Sequence, residues 1–184
     1  DGYVWFEETV CDPPTHILNG FMWSSWGMYD LANQSFTLII NTLLFAVFFK
    51  EVVVGPDGPG DALWGATVAL SLLVVVVVSP FSGAIADHLA VKKKVLIGLA
   101  FVCVAFTCAL GLVPAGAVVC AIRLYVPANI AFAIGENFLA AFLPEIASTK
   151  DLGRVSAIGW TMGYVGALAL LGLLALGMHL FDLN

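Results

Sequence analysis

"SGAIADHLAVKKKVL", residues 82–96, sets one acid, Asp87, and three consecutive lysines, Lys92, Lys93 and Lys94, between two stretches each apolar enough to cross a membrane. An island of charge in that position marks a chain turning at a membrane surface and starting back. Outward from it, 61% of the 184 residues are hydrophobic, 11% are charged, and the mean hydropathy is +1.00. Those values lie far from the habits of soluble domains and identify an integral membrane protein. A helix needs about 20 apolar residues to cross a hydrocarbon core of roughly 30 Å, and five stretches qualify: residues 29–49, 62–82, 95–113, 117–142 and 158–180. Lipid offers no partner for exposed backbone groups, so even "LLVVVVVS", residues 72–79, is predicted to be helix despite its β-branched content. The expected fold is therefore all-α, with a transmembrane bundle over residues 23–184 and a polar amino-terminal segment over 1–22. "VPAG", residues 113–116, is short enough to force the third and fourth spans into a tight antiparallel hairpin.

The net charge of −6 comes largely from acids near the amino end and in one loop. No basic stripe with interleaved aromatics accompanies it, which excludes nucleic acid as a partner. Cys103, Cys108 and Cys120 fall inside apolar spans and Cys11 in the polar segment, so the sequence offers neither a disulfide framework nor a CxxC metal pair; packing is their expected role. His16, His88 and His179 are too scattered for a metal site, and no serine, histidine and acid arrangement suggests hydrolysis. No catalytic residue, metal or cofactor is expected, and the chain does not read as an enzyme. It begins at Asp1 without a basic region ahead of a short apolar core, so a signal peptide is not expected.

Lysine and arginine near span ends set orientation. Lys92, Lys93 and Lys94 lie between spans two and three, and Lys150 and Arg154 between spans four and five; the other side offers only Lys50, beside Glu51, Asp57 and Asp61. Loops 83–94 and 143–157 are accordingly predicted cytoplasmic, with the amino end inside and the carboxyl end outside. The lysines are explained by this anchoring role. Asp87 is not, nor is Gly83, one helical turn earlier on the same face, and the pair points to a close helix contact capped by a charge.

"GAIADHLAVKKK" resembles the loop signature of the major facilitator superfamily between its second and third helices, a glycine followed four residues on by aspartate and then a basic cluster. His88 stands where a basic residue is usual, and Ala90 and Val91 replace a usual glycine and arginine. "WSSWGMYDLANQSF", residues 23–36, and "ENFLAAFLPEIASTKDLGRVSAIGWTMGYVGAL", residues 136–168, resemble the branch of vacuolar amino-acid effluxers, with its Tyr-Asp-x-Ala-Asn and Phe-Leu-Pro-acid-Ile-Ala runs. The resemblance covers residues 23–180. It implies twelve helices in two six-helix halves with a solute path between them, of which this sequence supplies five helices of the amino-terminal half. The function it implies is secondary active transport of a small polar solute, such as an amino acid, in a bacterial inner membrane by alternating access. The partners it implies are the bilayer and the remaining half of the transporter. The second reading is a truncated relative serving as a structural or assembly subunit among other membrane subunits.

Tyr29, Asp30, Asn33 and Gln34 recur at spacings of three and four, one polar stripe on the first span; Tyr29 and Asp30 equally suit a polar cap at the membrane border. Asn33, Gln34, Arg123, Glu136 and Asn137 are the candidates for a solute path, because intramembrane polar and ionisable groups are costly unless they serve a partner or a ligand. Arg123 could also snorkel to the outer interface, and Glu136 lies about 20 Å from it at helical rise, too far to pair. Asp30, Gly83, Asp87 and Lys92 to Lys94 are the candidates for gating. Gly159, Gly163 and Gly166 form a small-residue face for close helix packing, expected to seek a partner outside the chain. Pro127 is expected to kink the fourth span and Pro144 to end it.

Overall fold

The computed structural model describes residues 15–88, 91–147 and 150–180, and side chains from Ser24 onward except at 85–88, 145 and 146. Helix α1 (Thr15–Phe36) runs on without a break through a π-helical segment (Thr37–Leu43), the short α2 (Leu44–Phe48) and a second π-helical segment (Phe49–Val54). Four long helices follow: α3 (Gly60–His88), α4 (Lys92–Leu110), α5 (Val118–Ile146) and α6 (Leu152–Leu180). Among the described residues these make five columns long and apolar enough to cross a membrane, Ser24–Val54, Gly60–Ala84, Lys92–Leu110, Val118–Pro144 and Leu152–Leu180. Each expected span overlaps one column, with ends that differ by up to six residues. The third stops at Leu110 rather than 113 because Gly111, Leu112 and Val113 already make turn-type hydrogen bonds three residues back.

Two turns need glycine for a left-handed backbone: Gly55, at φ +93°, ends the first column, and Gly116, at φ +78°, closes the turn between α4 and α5. At the first of these turns Lys50 meets Asp61 at 3.0 Å, on the surface. Lys92, Lys93 and Lys94 fill the first turn of α4, where the helix dipole disfavours cations. Their placement therefore works against the helix dipole. Pro144 does not end α5. The helix runs two residues further, to Ile146, before Ala147 turns extended.

Lipid tails are as apolar as leucine, so the columns are held by close packing and interhelical hydrogen bonds rather than by escape from water. The most extensive contacts join α1 to α6, α4 to α5, and α3 to α5. The tight hairpin expected of the third and fourth spans is thus present as α4 and α5. One apolar cluster gathers Phe45, Phe49, Val53, Leu110 and Val113 with Tyr125, and Trp64 lies 4.6 Å from the Tyr125 ring. A second gathers Val75, Leu96, Ile134, Phe138 and Leu139, with Trp26 and Tyr29 against it. Large apolar side chains such as Val76, Phe101 and Leu168 face outward, the surface a bilayer covers.

Candidate functional site

Helix α5 carries the polar spine of the bundle. Near one end, the Asn33 amide on α1 donates to the Glu136 carboxylate on α5. One turn before Asn33, Asp30 sits where α1 meets α6, only 4% exposed, and its Oδ2 has no hydrogen-bond partner. Asp30 is within electrostatic reach of Glu136. The close approach of α6 creates this burial: a Cβ at Gly163 would lie 3.1 Å from Asp30 Oδ2 and 2.6 Å from Gln34 Cγ. Trp26 ties the same three helices together, with its ring against Gly159 of α6 and its indole N–H donating to the Leu139 carbonyl of α5 at 3.0 Å. Tyr29 and Asn33 also face a cavity of about 320 Å³ between α1 and α4, otherwise lined mainly by Phe36, Ile39, Ile40, Ala100 and Val104. Ala32, Ser35, Cys103, Thr107 and Cys108 complete its wall.

Towards the other end of α5 lies a chain of neutral hydrogen bonds that single residues of the sequence do not advertise. Tyr125 O–H donates to Asn41 Oδ1 at 3.0 Å, Asn41 donates to Asn129 Oδ1 at 3.1 Å, and Asn129 donates to Ser71 Oγ at 2.7 Å. The chain joins the first π-helical segment to α5 and α3, and Tyr125, Asn129 and Ser71 are all buried. Asn41 stands on a wide turn whose Thr42 hydroxyl bonds Thr37 O five residues back, the reach of a π-helical turn. Two turns along, Asn137 donates to Ser79 Oγ at 2.7 Å. A recurring spacing of eight, Ser71 to Ser79 and Asn129 to Asn137, is the signal that would have revealed this seam in the sequence.

The structure brings Asp30, Asn33, Gln34, Glu136 and Gly163 to one junction and leaves other candidates apart. Asp30 lies four turns into α1, which begins at Thr15, and α6 covers it. Arg123 is exposed, and Asn137 is exposed on the side of α3. Gly159, Gly163 and Gly166 find their partner within the chain, against Trp26, Asp30 and Gln34, and Leu31 of α1. Gly83 makes no close helix contact among the described residues, since a Cβ there would meet nothing within 4 Å. Lys92 lines a small pocket with Ser79, Ser82 and Asn137, while Lys93 and Lys94 are exposed. The Asp87 and His88 side chains lie outside the described residues.

Five membrane-length helices around a polar seam that joins the first and fourth columns define an all-α membrane bundle of the major facilitator type. The chain belongs to the vacuole effluxer Atg22-like family, whose profile matches residues 61–182. It is 29% identical over 147 residues to an uncharacterized MFS-type transporter, YxiO, of Bacillus subtilis strain 168, covering 78% of this chain and 34% of that protein. The chain thus spans about a third of the length of that curated relative. A profile described as D-glucuronyl C5-epimerase C-terminus matches residues 1–46; it covers a minority of the chain, ends inside the first apolar column, and defines no family for the whole. No solved structure matches the chain.

Proposed function

We propose that this chain forms five helices of the amino-terminal half of a secondary active transporter, and that a small polar solute passes along the face where α1 meets α5. The reading is carried by the junction of Asp30, Asn33 and Glu136. Two carboxylates and an amide inside an apolar bundle are too costly to serve packing alone, and Gly163 of the neighbouring α6 is shaped around one of them. Asn33, Gln34 and Glu136 are the solute-path residues of this proposal, while Asn137, bonded to Ser79 of α3, lies off that face and Arg123 is exposed about 20 Å along α5. Asp87 and Lys92 to Lys94 belong to the cytoplasmic latch that resists the rocking of one half against the other. The membrane is the bacterial cytoplasmic one, with Lys92 to Lys94 inside, and the remaining half of the transporter is the partner.

The test is solute counterflow into proteoliposomes containing the full-length protein, with a panel of labelled amino acids and other small polar solutes. Accelerated, saturable exchange of at least one solute, lost in Glu136→Ala, is the expected result; a protein that exchanges none of them while folded refutes the reading. A cysteine at position 93, in a background freed of other cysteines, should react with an impermeant thiol reagent only after the cytoplasmic side is opened.

A further inference from the structure

The bundle is gripped unevenly, and the first column crosses the seam. Helix α6 packs extensively on α1, where glycines at 159, 163 and 166 receive the α1 side chains, but it touches α5 and the first π-helical segment only slightly. Helices α3 and α4 pack on α5 instead. The far end of the first column goes with this second group, because Phe45, Phe49 and Val53 are buried in one cluster with Leu110 of α4 and Tyr125 of α5. Two units result, α1 with α6 on one side and the remaining helices on the other. The chain passes between them through Thr37–Leu43.

That crossing has the features of a joint. Its turns are wide, as the Thr42 hydroxyl bond to Thr37 O shows, and irregularities of this kind inside long helices are where helices bend. None of its seven residues is buried, whereas Phe36 just before it and Phe45 and Ala46 just after it are. Leu43 ends it at φ −111° and ψ −81°, away from helical values. A segment with few buried contacts between two gripped flanks is where a helix opens locally at least cost.

Among the described residues, Asn41 is the one side chain of the segment hydrogen-bonded to another helix. It accepts from Tyr125 O–H and donates to Asn129, which carries the contact on to Ser71 of α3. Tyr125 and Asn129 are at most 2% exposed, so withdrawal of Asn41 strips a buried donor and a buried acceptor at once. The other ties between the units run from α1 to α5 and precede the segment: Phe36 stacks on Phe132, Asn33 bonds Glu136 and Trp26 bonds Leu139. We infer that the first π-helical segment is a hinge on which α1 and α6 turn as one unit against α3, α4 and α5, and that Asn41 is the latch that holds it closed. The device is a property of the fold and needs no solute, so it stands apart from the transport reading.

The experiment measures spin-label distances on the full-length protein in lipid nanodiscs, in a background freed of other cysteines. Labels are placed in pairs at positions that are each more than half exposed: Val76 of α3 with Leu168 of α6 across the seam, Val76 with Phe101 of α4 within one unit, and Met28 of α1 with Leu168 within the other. Asn41→Ala should raise the population of a second Val76–Leu168 distance by about tenfold, the scale of two interhelical polar contacts, and leave the other two pairs as in wild type. Tyr125→Phe removes one hydroxyl and keeps the ring in its cluster, so it should raise the same population by about threefold. Hydrogen exchange at residues 37–43 should quicken in the same order. If Asn41→Ala fails to fold, Tyr125→Phe decides alone. A shift in all three pairs together is general loosening and overturns the inference, as does a wild-type Val76–Leu168 distribution in the folded variants. A cross-seam shift in a protein that exchanges no solute leaves the hinge standing and refutes the transport reading only.

Discussion

Two helix pairs in this bundle run side by side in the same direction, α1 with α6 and α3 with α5, and they are joined by opposite means. In the first, glycines at 159, 163 and 166 of α6 receive Trp26, Asp30 and Gln34, and Leu31 of α1, so the helices meet almost backbone to side chain. In the second, Asn129 and Asn137 of α5 reach Ser71 and Ser79 of α3 through two hydrogen bonds of 2.7 Å in the same register. A bilayer gives no hydrophobic reward for helix association, and these are the two devices it leaves, close packing and polar contact. The difference in kind implies a difference in tolerance. A glycine notch fails by collision, which rises steeply with each added atom, whereas a hydrogen-bonded rung fails by the loss of one modest bond.

The sharpest way to break the contrast is Gly159→Ala. The added carbon falls on the Trp26 ring, which is itself pinned by its bond to Leu139. The full-length protein should lose about 2–3 kcal/mol of stability in a detergent-unfolding titration, the upper end for overpacking. A loss under about 0.5 kcal/mol would show that α1 and α6 are free to part.

Next in size is Asn129→Ala, which removes an acceptor from Asn41 and a donor to Ser71. Interhelical polar contacts in membrane proteins are worth about 0.6 kcal/mol on average and at most about 1.7, and two are lost here, so about 1–1.5 kcal/mol is expected in the same titration. A double-mutant cycle with Ser71→Ala should return a coupling energy of about 0.5–1.5 kcal/mol.

Gly83→Ala moves in the opposite direction. The space around it is open, so alanine should add about 0.5 kcal/mol by improving helix propensity; marked destabilisation would mean that a further segment packs there. The smallest effect belongs to Ser79→Ala, whose rung to Asn137 is exposed. It should cost less than about 0.5 kcal/mol and less than Ser71→Ala under identical conditions.

The columns and their order were legible because hydropathy alone dictates them: "LLVVVVVS" has one stable conformation in lipid, whatever its propensity in water. The α4–α5 hairpin was equally legible, from the shortness of "VPAG". Of the junction, the stripe of Asp30, Asn33 and Gln34 and the isolated Glu136 stood out by polarity against an apolar background. That they converge did not, because helix rotation about its axis is set by partners rather than by local pattern. The sequence left Asp30 open between the stripe and a border cap for that reason, and its burial against α6 is a fact of packing alone. Gly83 shows the reverse error. A glycine followed by an acid one turn later suggested a close contact, but a small residue permits an approach without causing one, and no described neighbour takes it up. Asn41 escaped notice because its partners lie 84 and 88 residues away.

The two π-helical segments of the first column bear on how its sequence is to be compared with others. A π-helical turn closes its hydrogen bond one residue further along than an α-helical turn, so each segment accommodates a residue that a regular helix of equal reach would lack. A relative with unbroken α-geometry there can keep the Asp30 face on one side and the Phe45 and Phe49 face on the other only by omitting residues between 37 and 54. Single-residue gaps in that stretch, and not in α3 to α6, are the expected trace of that geometry in aligned relatives, and a gap placed elsewhere in the column would rotate these two faces out of register.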